Sequence, residues 1–473
     1  MPETRKHFLL RLNASHYLAI GFILLIFIGG LILNLPFASL SGESPGFLNA
    51  LFTATSAACV TGQVVVTTAA QWSNFGRVVI ITLIQIGGIG VITLVTVAMK
   101  MLNLNITMRE RLTIQAAFGQ DEAGGMEKLI INVIKVTFAA EAVGAVLLTI
   151  GFYTASEIKV SFGQALTWGV FHSISAFCNA GFDIIGENNM MPYAENPIIN
   201  LTLMCLIAGG GIGFPVWVEI CALIKKRLKE KLPLSGMTER LSIHAKVVLS
   251  VTGTLIAGGA LLFLLLEWDN PQTLAPLSLP GKIMASFFQS VTLRTAGFST
   301  INQAGLNGSS HFLSCLLMVI GGSPAGTAGG IKTVTLGIIM FSMFNAARGR
   351  EQIVAFKRNF TLHDLQKALT LTAMLFLVVI SGAMVLRFTE HNNPFPHTFL
   401  DLLFECSSVS ATVGLTTGIT PYLSNGGKVV LIVSMFIGRL GPTTIAMALT
   451  SINKKADLVG TEMSYPDAEL IIG

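Results

Sequence analysis

Charged residues are scarce. Only 12% of the 473 residues are Asp, Glu, Lys or Arg, about half the share of an ordinary soluble domain. Hydrophobic residues make up 52% and the mean hydropathy is +0.70. That balance excludes a soluble cytoplasmic enzyme, and equally a disordered or collagen-like chain. Cysteine is sparse as well. The six (Cys59, Cys178, Cys205, Cys221, Cys315, Cys406) form no CxxC pair and sit in apolar surroundings. They read as reduced packing thiols, with no disulfide frame and no zinc site. The eight histidines (His7, His16, His172, His244, His311, His363, His391, His397) are scattered and match no HExxH spacing. An integral membrane enzyme or a non-transporting scaffold, the rival from another class, therefore lacks clustered acid, base or metal ligands. No cleavable signal peptide is expected, because the first apolar run is long and lacks a small-residue cleavage site after it.

What the chain has is long apolar runs. A helix needs about 20 apolar residues to cross a bilayer, and runs at 17–36, 76–99, 129–152, 198–223, 246–267, 311–342, 368–388 and 427–450 qualify. Between successive pairs lie shorter semi-apolar stretches, 47–61, 162–180, 281–296 and 397–413. These are too short to span and end in small-residue turns, so they read as re-entrant half-helices. Twenty-one of the thirty Lys and Arg residues lie in 1–16, 100–128, 225–246, 345–367 and the tail after 453. All five segments share one side if each unit is span, re-entrant segment, span. The positive-inside rule makes that side cytoplasmic, with both termini there. Trp72, Trp168 and Trp268 lie near outer span ends, where interfacial anchoring suffices to explain them.

The units repeat. Four motifs follow the semi-apolar stretches: Cys59-Val60-Thr61-Gly62, Cys178-Asn179-Ala180-Gly181, Arg294-Thr295-Ala296-Gly297 and Ala411-Thr412-Val413-Gly414. Each glycine precedes a long residue, Gln63, Phe182, Phe298 or Leu415, and the glycines are spaced by 119, 116 and 117. A second glycine recurs at Gly87, Gly209, Gly321 and Gly438. The expected fold is an all-α integral membrane protein. It has four tandem units of span, re-entrant pore helix and span (M1–P–M2), with pseudo-fourfold symmetry around one central pore. Parallel repeats pack around an axis along the membrane normal. The divisions are a cytoplasmic N-terminus 1–16, repeats 17–99, 129–224, 246–344 and 368–452, cytoplasmic loops 100–128, 225–245 and 345–367, and a cytoplasmic tail 453–473.

Four turns converging on an axis offer rings of backbone carbonyls that replace a cation's hydration shell. Glycine lets the backbone point those oxygens inward, and half-helix C-termini favour a cation in the cavity between them. The expected potassium ligands are Val60, Thr61, Gly62, Asn179, Ala180, Gly181, Thr295, Ala296, Gly297, Thr412, Val413 and Gly414. Thr412-Val413-Gly414 comes nearest to a potassium-channel signature. No turn carries the full Thr-Val-Gly-Tyr-Gly, so fewer ordered ion sites are expected than in a dedicated potassium channel.

Together with the run Gly321 to Lys332 and the segment Gly438-Arg439-Leu440-Gly441-Pro442, these turns resemble the Trk/Ktr/HKT superfamily of potassium transporters along the whole chain. Within it the chain is most similar to the membrane subunit of a bacterial Ktr-type uptake system. The larger Trk-type subunits carry two further N-terminal spans. Some plant members have serine at the position of Gly62 and prefer sodium, so Gly62 points to potassium. A Trk-type subunit or a sodium-preferring, weakly selective relative is the runner-up. The resemblance implies uptake across the bacterial plasma (inner) membrane and a homodimer with Tyr465 to Gly473 near its contact. It also implies a cytoplasmic RCK-type, nucleotide-binding regulatory ring. Potassium is the transported ion. Sodium as an activating or symported ion is a family trait that the sequence neither shows nor excludes. No organic cofactor and no nucleic acid is expected; Lys225-Lys226-Arg227-Leu228-Lys229-Glu230-Lys231 suits anionic lipid.

The run 311–342 cannot be one regular helix. Gly321-Gly322-Ser323-Pro324-Ala325-Gly326-Thr327-Ala328-Gly329-Gly330 holds five glycines and a proline, each unfavourable in a helix interior by about 1 and 3 kcal/mol respectively. Such backbone survives at membrane depth only when buried in protein or lining a wet cavity. The resemblance implies an intramembrane gate. The run approaches a phosphate loop but has Ile331 before Lys332, so nucleotide binding is rejected. Gly87-Gly88-Ile89-Gly90 and Gly209 to Gly213 are read as close helix packing. Arg439, inside the last span, must face a polar interior; the pore below the filter is its expected place, against 321–330. Lys332 either anchors that loop or snorkels. Arg294 is expected to brace its turn. Asp183 and Glu187 either concentrate cations at the outer mouth or are plain solvated loop charges. Lys135 and Glu141 are left without a role. No motif for ATP hydrolysis is present, so the membrane potential is the expected driving force.

Overall fold

The computed structural model describes residues 14–90, 126–230, 240–350 and 352–441. Expectations placed on 1–13, 91–125, 231–239 and 442–473 lie outside the described residues. These include most of the N-terminal segment, the first cytoplasmic loop and the tail with its dimer contact.

The described chain is helical apart from one hairpin. In order come α1 (Ala14–Leu33), α2 (Phe47–Ala58), α3 (Asn74–Ile89), α4 (Met126–Thr154), α5 (Phe162–Phe177), α6 (Pro197–Ile212) and α7 (Phe214–Glu230). Then follow α8 (Ile243–Glu267), α9 (Leu279–Thr292), α10 (Gly308–Val319) and α11 (Thr333–Ala347). The antiparallel strands β1 (Ile353–Ala355) and β2 (Arg358–Phe360) precede α12 (Leu362–Thr389), α13 (Phe399–Ser410) and α14 (Asn425–Leu440). The hairpin falls in the basic stretch 345–367, where only a loop was expected. Its turn residues Phe356 and Lys357 take φ of 49° and 63°, the twist a two-residue hairpin favours, and Phe341 packs on Phe356 and Phe360.

Helix starts follow from local chemistry. Ser73, Ser161, Asn196, Ser242, Ser278 and Ser424 each cap a helix by accepting a backbone N–H with the side-chain oxygen. Thr361 with Asp364, and Thr398 with Asp401, form reciprocal capping boxes, satisfying donors the helix leaves free. Two buried carboxylates do the same from a distance. Glu267, the last residue of α8, accepts from Asn307 N at the start of α10 (2.9 Å). Glu390, after α12, accepts from Ser424 N (3.1 Å) and Oγ (2.6 Å) at the start of α14. Negative charge at a helix N-terminus is stabilising.

Among the described residues four helices are long and apolar enough to cross a membrane: His16–Leu33, Ile130–Thr154, Ile243–Glu267 and Leu362–Thr389. Their outward faces are apolar, with Ile23, Leu24, Leu265, Leu377 and Phe388 exposed, a surface suited to lipid. The alternate expected spans are interrupted. α3 stops at Gly90, α14 at Gly441, and α6 turns into α7 through a bend of 105° at Gly213. These three glycines take φ of 93°, 84° and 94° with ψ near 135°, a region open almost solely to glycine. The run 311–342 is two helices joined by 320–332.

The helices close on themselves. α1 packs on α2, α4 on α5, α8 on α9 and α12 on α13. α3 meets α5, α6 meets α9, α10 meets α13, and α14 returns to α2. Within a unit, a glycine lets α3, α6 and α14 come close to the short helix before them. A Cβ on Gly87 would collide with the carbonyl of Ala58, one on Gly210 with that of Phe177, and one on Gly438 with that of Ser410. Each of those carbonyls belongs to the last residue of α2, α5 or α13. Gly210 rather than Gly209 makes this contact in the second unit, and Gly321 instead abuts Gly329. Two of the three tryptophans also depart from expectation. Trp72 is fully buried and Trp168 nearly so, the latter edge-on to Phe152 at 5.6 Å. Trp268 is exposed, with Lys282 over its ring.

Gly438→Ala and Gly87→Ala are expected to destabilise the solubilised protein by about 1–3 kcal/mol each, the usual penalty of overpacking. Gly253→Ala and Gly258→Ala, where a Cβ meets nothing within 4 Å, are expected to be neutral or slightly stabilising. Thermal unfolding midpoints in detergent compare the four.

Candidate functional site

The short helices α2, α5, α9 and α13 each run into a turn with one repeated backbone form. Val60, Asn179, Thr295 and Thr412 take φ of 57°, 58°, 71° and 56°. Two residues later Gly62, Gly181, Gly297 and Gly414 take 89°, 68°, 84° and 93°. Three of the four left-handed non-glycine positions are β-branched, which is strained. Hydrogen bonds at each helix exit hold them. Thr61 N donates to Ser56 O (2.8 Å), Ala180 N to Ser175 O (2.7 Å) and Val413 N to Ser408 O (2.7 Å). The third turn is one residue tighter, with Ala296 N on Thr292 O (2.9 Å). Hydroxyls add a second tie. Ser56 and Ser408 accept from Gly62 N and Gly414 N, both at 3.0 Å. Ser175 and Thr292 donate to Phe182 O (2.8 Å) and Phe298 O (2.6 Å).

The four glycines meet face to face in cyclic order. A Cβ on Gly62 would strike Ala180 O, one on Gly181 would lie 2.6 Å from Ala296 O, one on Gly297 would strike Val413 O, and one on Gly414 would strike Thr61 O. All twelve residues expected at the ion site are thus brought into these four turns. Among the described residues, the carbonyls of Thr61, Ala180, Ala296 and Val413 accept no hydrogen bond. A buried carbonyl without a donor is unusual, and a ring of them suits a cation. On one side of the ring opens a cavity of about 320 Å³ lined by all four glycines, Asp183 and Glu187. Asp183 accepts from Ile185 N (3.1 Å) and Asn189 Nδ2 (3.1 Å). Its burial pushes the carboxyl up to about 6, against the opposing effect of the Gly186 and Ile185 N–H groups. Among the described residues no group of three His, Cys, Asp or Glu could hold a metal ion.

The 320–332 segment lies against the turns. Part of its backbone hydrogen bonding is met by the end of α6 and the start of α7. Ser323 N donates to Gly211 O (2.8 Å), Thr327 N to Gly210 O (3.2 Å), and Phe214 N to Ala325 O (3.0 Å). Gly209 to Gly213 is therefore the seat of this segment as well as a packing site. Thr327 Oγ1 reaches Phe177 O (3.2 Å). At its far end a Cβ on Gly329 would meet Thr412 Oγ1 and the Ala411 carbonyl. The segment so reaches from the second glycine turn to the fourth.

Arg439 lies against the 320–332 segment. Its guanidinium donates to Thr327 O (2.6 Å) and to Gly87 O, tying the segment to α3. Lys332 Nζ donates to Ala328 O (2.6 Å), so it anchors its own loop rather than snorkelling. Arg294 does not brace its own turn. It donates to Gly321 O (3.3 Å) and Thr252 Oγ1 (3.4 Å). Glu141 is buried and accepts from Gln85 Nε2 of α3 (3.0 Å), whereas Lys135 is exposed on the same helix.

Several residues behind the ring escaped the sequence reading. Glu405, fully buried on α13, accepts from Thr416 Oγ1 (2.7 Å), Thr417 N (2.9 Å), Thr420 Oγ1 (2.8 Å) and Gln63 Nε2. Gln289 and Gln303 exchange amide hydrogen bonds (2.7 and 3.0 Å) behind the third turn. His172 Nε2 accepts from Ile184 N (3.4 Å) behind the second. The signal in the sequence was a large polar residue inside each of three half-helices, eight or nine positions before its glycine.

The TrkH family of cation transport proteins matches residues 15–457. The chain is 36% identical to the potassium/sodium uptake protein NtpJ of Enterococcus hirae, covering all of both chains. It is 36% identical to the Ktr system potassium uptake protein B of Bacillus subtilis, covering 98% of this chain and 97% of that one. The crystal structure of the potassium transporter TrkH from Vibrio parahaemolyticus superposes with a TM-score of 0.66 at 19% identity, over 91% of this chain and 83% of that one. Apolar helices long enough to span a bilayer agree with these matches, and the family model over 15–457 together with the full-length relatives places this protein in the TrkH family of cation transport proteins.

Proposed function

We propose that this transporter is the ion-translocating membrane subunit of a Ktr-type potassium uptake system in a bacterial inner membrane. The observation that carries the reading is the cyclic meeting of Gly62, Gly181, Gly297 and Gly414. Four M1–P–M2 repeats, 17–99, 129–224, 246–344 and 368–452, surround one pore with pseudo-fourfold symmetry, and both termini are cytoplasmic. Potassium sheds its water against the carbonyls of the four turns, which form the selectivity filter. The 320 Å³ cavity is the outer vestibule. Potassium entry is driven by the membrane potential, worth about 2.3 kcal/mol per charge per 100 mV.

Below the filter, Gly321 to Gly330 with Lys332 forms the gate, and Arg439 latches it. The latch has a physical rationale. A guanidinium at membrane depth opposes a cation in the same conduit, and its bond to Thr327 O holds the segment in place. Opening requires that contact to break, which a cytoplasmic nucleotide-binding ring of RCK type would drive in a homodimer of membrane subunits. The relatives named for Ktr systems support a partner of that kind. A second reading is a sodium-permeable or Trk-type transporter, favoured by the potassium/sodium name of the Enterococcus relative. Sodium then acts as a permeant, symported or activating ion.

Uptake of rubidium, potassium and sodium into liposomes holding the purified protein tests the proposal, with preference for rubidium and potassium expected. Three variants sharpen it. Gly414→Ser is expected to lower the rubidium-to-sodium ratio at least about tenfold, because its side chain displaces the Thr61 carbonyl. Arg439→Ala is expected to raise flux several-fold without the regulatory partner; unchanged flux would overturn the latch. Protonating Asp183 removes a negative charge from the vestibule, so uptake is expected to fall as external pH drops through about 6. Asp183→Asn is expected to be slow at all pH and to lack that step.

A further inference from the structure

The segments after the second and third turns are joined by backbone, where Met190 N donates to Ser299 O (3.1 Å). Among the described residues the fourth and first turns are joined instead through side chains. Gln63 directly follows the first filter glycine and is fully buried. Its Nε2 donates to Glu405 Oε2 and to Thr420 Oγ1 (2.9 Å), across 342 residues of sequence in the first case.

We infer that Glu405, acting through Gln63, closes the seam between the fourth and first filter turns and is a positioning residue that sets cation selectivity. The inference rests on the filter reading above. An ionised carboxylate only accepts hydrogen bonds, and every polar group facing Glu405 can donate. Oε1 takes Thr416 Oγ1, Thr417 N and Thr417 Oγ1, which fixes the loop leaving the fourth turn. Oε2 takes Gln63 Nε2 and Thr420 Oγ1, which fixes the residue leaving the first. One side chain therefore sets the separation of the two turns whose glycine and carbonyl (Gly414 and Thr61) abut at the seam. If the pair slackens, that carbonyl is free to move inward onto a smaller ion, and the preference for the larger cation falls. Glu405 does not itself touch the ion.

The conservative change has a specific outcome. In Glu405→Gln an oxygen still meets the Thr417 N–H, and the new amide faces Gln63. Gln63 can turn over to present Oε1, which has no partner in the structure. Selectivity is expected to survive largely intact. Glu405→Ala and Gln63→Leu are each expected to lower the rubidium-to-sodium uptake ratio of full-length protein in liposomes at least about tenfold, the factor carried by one lost charge-assisted bond. The two together are expected to do no more than one alone, since both cut the same link. Gly414→Ser is the reference. If it shifts the ratio while Gln63→Leu does not, or if the two losses add, the seam inference is wrong and the filter reading stands. If Gly414→Ser also leaves the ratio unchanged, the filter reading fails and takes the inference with it. Gln63→Leu leaves Glu405 its other donors, so it carries the test should Glu405→Ala not assemble.

Discussion

The structure depends on four glycines, each packed against the carbonyl oxygen of the neighbouring turn. A side chain on any of these glycines would meet the next turn's backbone, and the positive φ of each is open to few other residues. The rest of the structure keeps those turns in place. The left-handed Val60, Thr295 and Thr412 store strain that only surrounding structure can hold. Ser56, Ser175, Thr292 and Ser408 supply that restraint from the last turns of the short helices. Those helices are held in turn by Gly87, Gly210 and Gly438, which bring a second helix onto their final carbonyls. The pattern is a small rigid ring of backbone braced by polar groups inside an apolar shell.

The 320–332 segment solves a different problem. Irregular backbone at membrane depth must find partners within the protein. It does so on Gly210 and Gly211, whose carbonyls accept from Thr327 and Ser323. Side-chain cations complete the arrangement. Arg294, Lys332 and Arg439 all donate to backbone carbonyls of the segment, at Gly321, Ala328 and Thr327. Among the described residues none of these three is paired with a carboxylate within salt-bridge distance. Their charge is stabilised by peptide dipoles.

Much of this was legible in the residues. The spacing of Gly62, Gly181, Gly297 and Gly414 placed the ring, and the glycine and proline content of 321–330 ruled out a helix there. The cost of a charge in lipid required Arg439 to find polar partners, and it has them in Thr327 O and Gly87 O. What was not legible depends on distant or sub-turn geometry. Nothing local joins Gln63 to Glu405. The third turn is one residue tighter at Thr292, which the glycine spacing hides. Gly209 and Gly210 look equivalent in a run of three glycines, and only helix rotation selects the second. Trp72 and Trp168 near helix ends resemble interfacial anchors, yet neighbouring helices cover them. Arg294 sits in the third motif but serves the segment and Thr252.

The central claim is that the carbonyls of Thr61, Ala180, Ala296 and Val413 together hold a dehydrated cation. Anomalous scattering from crystals of the protein grown in rubidium tests it most directly. A peak is expected on the axis between the four turns, within coordination distance of those oxygens. Strong rubidium peaks elsewhere with none inside the ring, or a ring that admits only sodium, would contradict it.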